Sequence, residues 1–197
     1  MDPDPQVDAR SRSGAFASSP TVAKTGVIFE SRVFWVERVE VCDRDGATRL
    51  RDVVRHPGAV TVIPVLADGR LVLIRNHRFT LRRWMVEFCA GKLEAGEDPQ
   101  EAALRELEEE TGYRAANIES LGGYYTSPGF CDEFMRIYRA TDLTPVPTRH
   151  EIGEEIEIFT ATREEIRAMI VDGTLEDGKS IAAFAKFELL FPEVTKR

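Results

Sequence analysis

Apolar and polar positions first fall into a repeating order after residue 24. Over residues 26–54 the chain reads as strands: Val39 and Val41 alternate with Arg38 and Glu40, and a turn at 43–46 leads into the mostly apolar stretch 50–54. Two apolar runs follow, 59–66 (AVTVIPVL) and 70–75 (RLVLIR), separated by Ala67-Asp68-Gly69. An Asp-Gly pair between apolar runs predicts a hairpin. A further short strand is predicted over 84–89, and others near 118–125, 133–140 and 155–160.

Helical signals fall in three places. Asp98 is placed to cap a helix over 99–111, with Pro99 at its first position, Glu101 three residues after the cap and Gly112 as its stop. Thr162 with Glu165 opens a second helix running to about 171, and 180–190 predicts a third. Strands, a central helix, more strands and closing helices make an α+β fold. Residues 1–24, rich in Asp, Ser, Pro and Arg and without periodicity, read as a disordered tail. The expected organisation is therefore a tail over 1–24, a small antiparallel sheet over 25–55 and a main domain over 56–197.

Composition narrows the function. The 197 residues carry 26 Lys+Arg against 34 Asp+Glu, a net charge of −8, which argues against general nucleic-acid binding. The longest apolar run, 59–67, is far too short to span a membrane. The N-terminus lacks the apolar core of a secretory signal, and three scattered cysteines (Cys42, Cys89, Cys131) form no CxxC pair. Together these point to a reducing cytoplasm.

The charge is concentrated. Residues 87–110 hold nine acids and two bases, or −7 of the total. Glu106, Glu109 and Glu110 fall at i, i+3 and i+4, sharing one face in the last turns of the predicted helix. The macrodipole is already negative there, so like charges at this spacing oppose the helix by some tenths of a kcal/mol each. A bound hard cation reverses that sign, because Mg²⁺ prefers carboxylate oxygens.

Gly91, Glu97, Arg105-Glu106, Glu109-Glu110 and Gly112 stand as G-x5-E-x7-R-E-L-E-E-E-T-G-Y. This pattern resembles the Nudix box at every fixed position. Seven specified positions arise by chance in on the order of one chain in a million, given average residue usage. The wider resemblance runs from about residue 49 to 181.

The resemblance implies an α/β/α sandwich around a mixed sheet and hydrolysis of a nucleoside diphosphate linked to another group, with Mg²⁺ (or Mn²⁺ in its place) as cofactor. It makes Glu106 and Glu110 metal ligands, Glu109 a ligand or close support, Glu97 a support, and the Ala90 carbonyl a further ligand. Arg105 pairs with the box carboxylates and is counted, with Glu109, in the catalytic set.

Thr126, Ser127, Pro128 and Gly129 place a proline 16 residues beyond Gly112, and Glu87-Phe88-Cys89-Ala90-Gly91-Lys92 leads into the box. Both features resemble ADP-ribose pyrophosphatases, with Cys89 where a proline is usual. That subfamily implies a catalytic base in the loop 150–156, matched best by Glu154 and alternatively by Glu151. It implies substrate contacts from Arg51, Arg78, Ser127, Pro128, Gly129 and Glu133, and an aromatic shelf from Trp35 or Phe34. It also implies a homodimer packed through the N-terminal sheet, with both chains contributing to the active site. The expected reaction is Mg²⁺-dependent cleavage of ADP-ribose to AMP and ribose 5-phosphate. The alternatives are another nucleoside diphosphate sugar, such as GDP-mannose, and a catalytically silent ADP-ribose-binding regulator.

Overall fold

The structure is a computed structural model that describes residues 21–43, 46–150 and 155–193. Among these, ten strands and three helices form three sheets. β1 (Thr21–Glu30), β2 (Trp35–Cys42) and β3 (Thr48–Arg55) make the antiparallel N-terminal sheet, in that order. β1 begins at Thr21, four residues inside the span expected to be a tail.

β4 (Ala59–Pro64) lies at the centre of a mixed sheet ordered β7-β4-β9-β8. It runs parallel to β9 (Phe134–Pro145) and antiparallel to β7 (Ala90–Lys92), while β8 (Tyr113–Tyr125) closes the other side antiparallel to β9. The third sheet is β10 (Ile156–Ala161), β5 (Leu71–Arg78) and β6 (Arg83–Glu87), all antiparallel.

All six residues of β4 are buried. Val60 and Val62 pack with Leu93, Ala102, Ala103, Leu107, Tyr138 and Ala140, the side of helix α1 (Pro99–Thr111). Ile63 faces the opposite way, toward Phe88, Ile137, Ile166, Phe184 and Phe187, the side of α2 (Arg163–Asp172) and α3 (Gly178–Leu190). A strand covered by helices on both faces reads as a continuous apolar run, which is what AVTVIPVL is. The layers are those of an α/β/α sandwich.

The expected hairpin at Asp68-Gly69 is corrected. Its turn forms, with Leu66 N–H donating to Arg70 O at 2.9 Å and Gly69 N–H to Leu66 O at 2.9 Å. Beyond a single bridge at Val65–Leu71, however, β4 and β5 part into different sheets. Both edges of β4 are taken by β7 and β9, and both edges of β5 by β10 and β6. No described helix is long and apolar enough to cross a membrane.

Candidate active site

The local sequence builds α1 as expected. The Asp98 side chain accepts from the N–H groups of Gln100 (2.8 Å) and Glu101 (3.3 Å), and Gly112 ends the helix at φ 66°, ψ 30°, a left-handed conformation that glycine adopts without penalty. Ala102, Ala103, Leu107 and Thr111 form the buried stripe. Glu110 lies on that buried side too, only 3% exposed.

A buried carboxylate needs compensation. Ala90 N–H donates to Glu110 Oε2 at 2.9 Å, fixing this side chain to β7. Glu106 presses on the next residue of the same strand: a Cβ at Gly91 would lie 1.8 Å from Glu106 Oε1. Two carboxylates one helical turn apart thus bear on two consecutive backbone units of β7. Gly91 has its place in the pattern because any side chain there would occupy the position of the Glu106 carboxylate.

Arg105 organises the rest. Its guanidinium donates to Glu97 through Nε (2.9 Å) and Nη2 (3.2 Å), and through Nη1 to Glu106 (2.7 Å) and Glu109 (3.2 Å). The Glu97 carboxyl is held below its ordinary range, chiefly by the Arg105 hydrogen bonds, and the guanidinium is correspondingly more basic. Four carboxylates and one guanidinium leave a strongly negative, oxygen-only donor set, the chemistry a hard divalent cation selects. Among the described residues no three Asp, Glu, His or Cys side chains converge as they do around a bound metal. Arg105 spans Glu97, Glu106 and Glu109, while Glu110 turns to the Ala90 N–H. By donor type, and by the space left at Gly91, Glu106 and Glu110 fit such an ion.

The segment leading to the expected base passes over the end of α1. Val146 N–H donates to Gly112 O (2.8 Å), Arg149 N–H to Glu109 O (3.1 Å), and His150 Nε2 lies 3.3 Å from Glu110 O. On its far side Glu155 O accepts from His77 N–H of β5 at 3.1 Å. Glu154 and Glu151 themselves lie outside the described residues. The contact of His150 with the C-terminal end of α1 had no signal in the sequence, since it depends on where the returning chain crosses the helix.

The Pro128 loop joins β8 to β9 and is tied to the N-terminal sheet. Phe130 and Cys131 N–H donate to Ser127 O, and Thr126 Oγ1 donates to Glu133 Oε2 at 2.7 Å. Val54 N–H donates to Phe130 O (2.8 Å), Arg55 pairs with Asp132 (3.0 Å), and His56 N–H donates to Asp132 (2.9 Å). His56 Nδ1 also lies 3.4 Å from Glu133 Oε1 and accepts from Gly58 N–H at 3.1 Å. Pro128 and Gly129 are exposed.

Of the four cation and aromatic candidates, the structure puts only Arg78 beside the box; Phe34 lies in the turn before β2, its ring 5.9 Å from that of Phe29. Arg78 ends β5 and grips the buried Glu87 with Nε (2.8 Å) and Nη2 (2.5 Å). Arg51 and Trp35 sit on β3 and β2, and no described hydrogen bond or ion pair links either to the box within one chain. Cys89, between Glu87 and Ala90, is fully buried, and burial pushes its thiol well above the ordinary range. It is a core residue.

The sequence profile of the NUDIX domain matches residues 55–184. The chain is 38% identical over 173 residues to the ADP-ribose pyrophosphatase of Bacillus subtilis, covering 86% of this chain and 92% of that protein. It is 38% identical over 168 residues to the methanol dehydrogenase activator of Bacillus methanolicus, covering 84% and 91%. A crystal structure of an ADP compounds hydrolase aligns with a TM-score of 0.78 over 90% of this chain and 96% of that one, at 24% identity, and so shares the fold.

Proposed function

This chain belongs to the Nudix family of pyrophosphohydrolases, and from that premise we propose that it hydrolyses the diphosphate of ADP-ribose, giving AMP and ribose 5-phosphate, with Mg²⁺ as cofactor and Mn²⁺ able to replace it. The observation that carries the reading is the seating of Glu106 and Glu110 on the backbone of Ala90 and Gly91. These residues, with the Ala90 carbonyl and support from Glu109 and Glu97, would hold the ion, whose chemistry is to neutralise the diphosphate and acidify water. Glu154 accepts the proton of the water that attacks phosphorus. The bond between that phosphorus and the bridging oxygen then breaks. Arg105 keeps Glu97, Glu106 and Glu109 fixed through the cycle.

Arg78 supplies charge to the diphosphate, and Ser127, Pro128, Gly129 and Glu133 line the sugar side. Arg51 and Trp35 are reached through dimerisation. Val22, Val27, Phe29, Val33, Trp35 and Leu50 of the N-terminal sheet and its turn are exposed, an apolar surface suited to a second copy of the chain. We expect a particle of twice 22.2 kDa by light scattering at micromolar concentration; a monomer would remove the role given to Arg51 and Trp35. The three free cysteines suit the cytoplasm.

The substrate is tested with a panel of ADP-ribose, GDP-mannose, UDP-glucose, NADH and diadenosine polyphosphates in Mg²⁺. ADP-ribose should be preferred at least about tenfold in kcat/KM, a margin that pocket contacts alone can supply. Preference for GDP-mannose would keep the box chemistry and discard the substrate contacts. Binding of ADP-ribose without turnover would make the protein a regulator.

A further inference from the structure

Glu87 is 1% exposed yet carries two cations. Arg78 holds it from β5 with Nε and Nη2, and Lys179 of α3 holds Oε2 from the other side. Lys179 is itself fixed, because Asp177 Oδ2 accepts from Nζ at 2.8 Å. Asp177 also caps α3, accepting from Ser180 N–H (3.0 Å) and Ser180 Oγ (2.5 Å), while Ser180 Oγ accepts from Phe88 N–H at 2.8 Å. The start of α3 is thus bolted to Glu87 and Phe88, two residues before the Ala90 N–H that holds Glu110.

Arg78 is the exposed member of the group, its side chain 40% accessible against 13% for Lys179. Glu87 engages only Nε and Nη2, so Nη1 has no described partner. A guanidinium clamped along one edge presents its remaining donors in a fixed direction, the arrangement that suits a phosphate oxygen.

We propose that Lys179, outside the box, is a positioning residue for substrate binding: by sharing Glu87 with Arg78 it keeps the Arg78 guanidinium turned outward to a substrate diphosphate. This rests on the reading of Arg78 as a diphosphate ligand. Without Lys179, the buried carboxylate has one cation left and draws the whole Arg78 fork inward. Binding through Arg78 is shared by ground and transition states, so its loss appears in KM.

The test is steady-state kinetics on whichever diphosphate substrate the wild type turns over best, so that failure on ADP-ribose overturns the substrate and leaves this comparison intact. Lys179→Met should raise KM about tenfold, as truncating one partner of a buried charge cluster does, with kcat changed less than about twofold. Lys179→Arg should restore KM. Adding Lys179→Met to Arg78→Lys should raise KM no further, because the two act through one group. Additive effects would mean that Lys179 meets the substrate itself and would overturn the proposal. So would an unchanged KM with lowered thermal stability. If Lys179→Met does not fold, Lys179→Gln, which keeps donors but not charge, is held to the same outcomes. Calorimetric binding of ADP gives a readout independent of turnover.

Discussion

Glu110→Gln should lower kcat/KM by about 10³-fold while leaving the protein folded, the size expected if several kcal/mol of transition-state charge stabilisation is lost. The glutamine amide has the shape of the carboxyl and retains an oxygen to accept from Ala90 N–H, so the bond that seats residue 110 on β7 survives. What disappears is one negative charge from a crowded helix end. Glu106 lies one turn away and Glu109 is adjacent, so the variant relieves that repulsion, and it should remain folded in the absence of metal. Added Mg²⁺ should raise the wild-type melting temperature by mass action, and should do so much less for the variant. Near-wild-type turnover would show that residue 110 holds no metal, and a large drop in metal-free stability would show that its role is structural.

Gly91→Ala should cost at least about 10²-fold in activity for a methyl group that touches no substrate, because a misplacement of roughly 1 Å at a reacting centre has that effect. The backbone at Gly91 is not left-handed, so alanine brings no conformational strain. The whole effect comes from the clash of its Cβ, 1.8 Å from Glu106 Oε1 and 2.0 Å from Cδ. The colliding atoms are at the end of a side chain, so Glu106 swings away and the fold pays about 1 kcal/mol, an ordinary cost for a point substitution. Gly96→Ala is the control with the opposite outcome. Its φ of +79° strains any other residue, but nothing lies within 4 Å of an added Cβ. It should lose stability and keep activity. In the Glu106→Gln background, Gly91→Ala should add little further loss, since both act on one carboxylate. Full activity of Gly91→Ala would mean that Glu106 works from another position.

The cluster formed by Arg105 shows how much of the site was legible in advance. Arg105 precedes Glu106 and lies four residues before Glu109, so helical spacing alone brings those three together. Glu97 joins them because the turn into α1 is short and capped at Asp98. Glu87 shows the opposite. As a sequence position it is one more acid in an acidic stretch, and Arg78 reads as a cation open to substrate. Their grip on each other depends on β5 and β6 pairing, with Ile74 opposite Glu87, and Lys179 arrives from a helix some ninety residues later.

Local order along the chain was sufficient for α1, its cap and its stop, for the family pattern with its charge, and for most strands, because capping, glycine turns and periodicity act over a few residues. It failed for the hairpin at Asp68-Gly69, since a turn sequence fixes a reversal but not which strand edges are free. It missed β7, three residues long, which exists only because β4 offers an edge to Ala90, Gly91 and Lys92. The sequence by itself determined the family and the spacing that puts Glu106, Glu109 and Glu110 on one face of α1. Only the tertiary structure decided which carboxylates rest on β7, which are tied to Arg105, and which cations hold a buried Glu87, because burial and strand pairing are set by residues far apart in the chain.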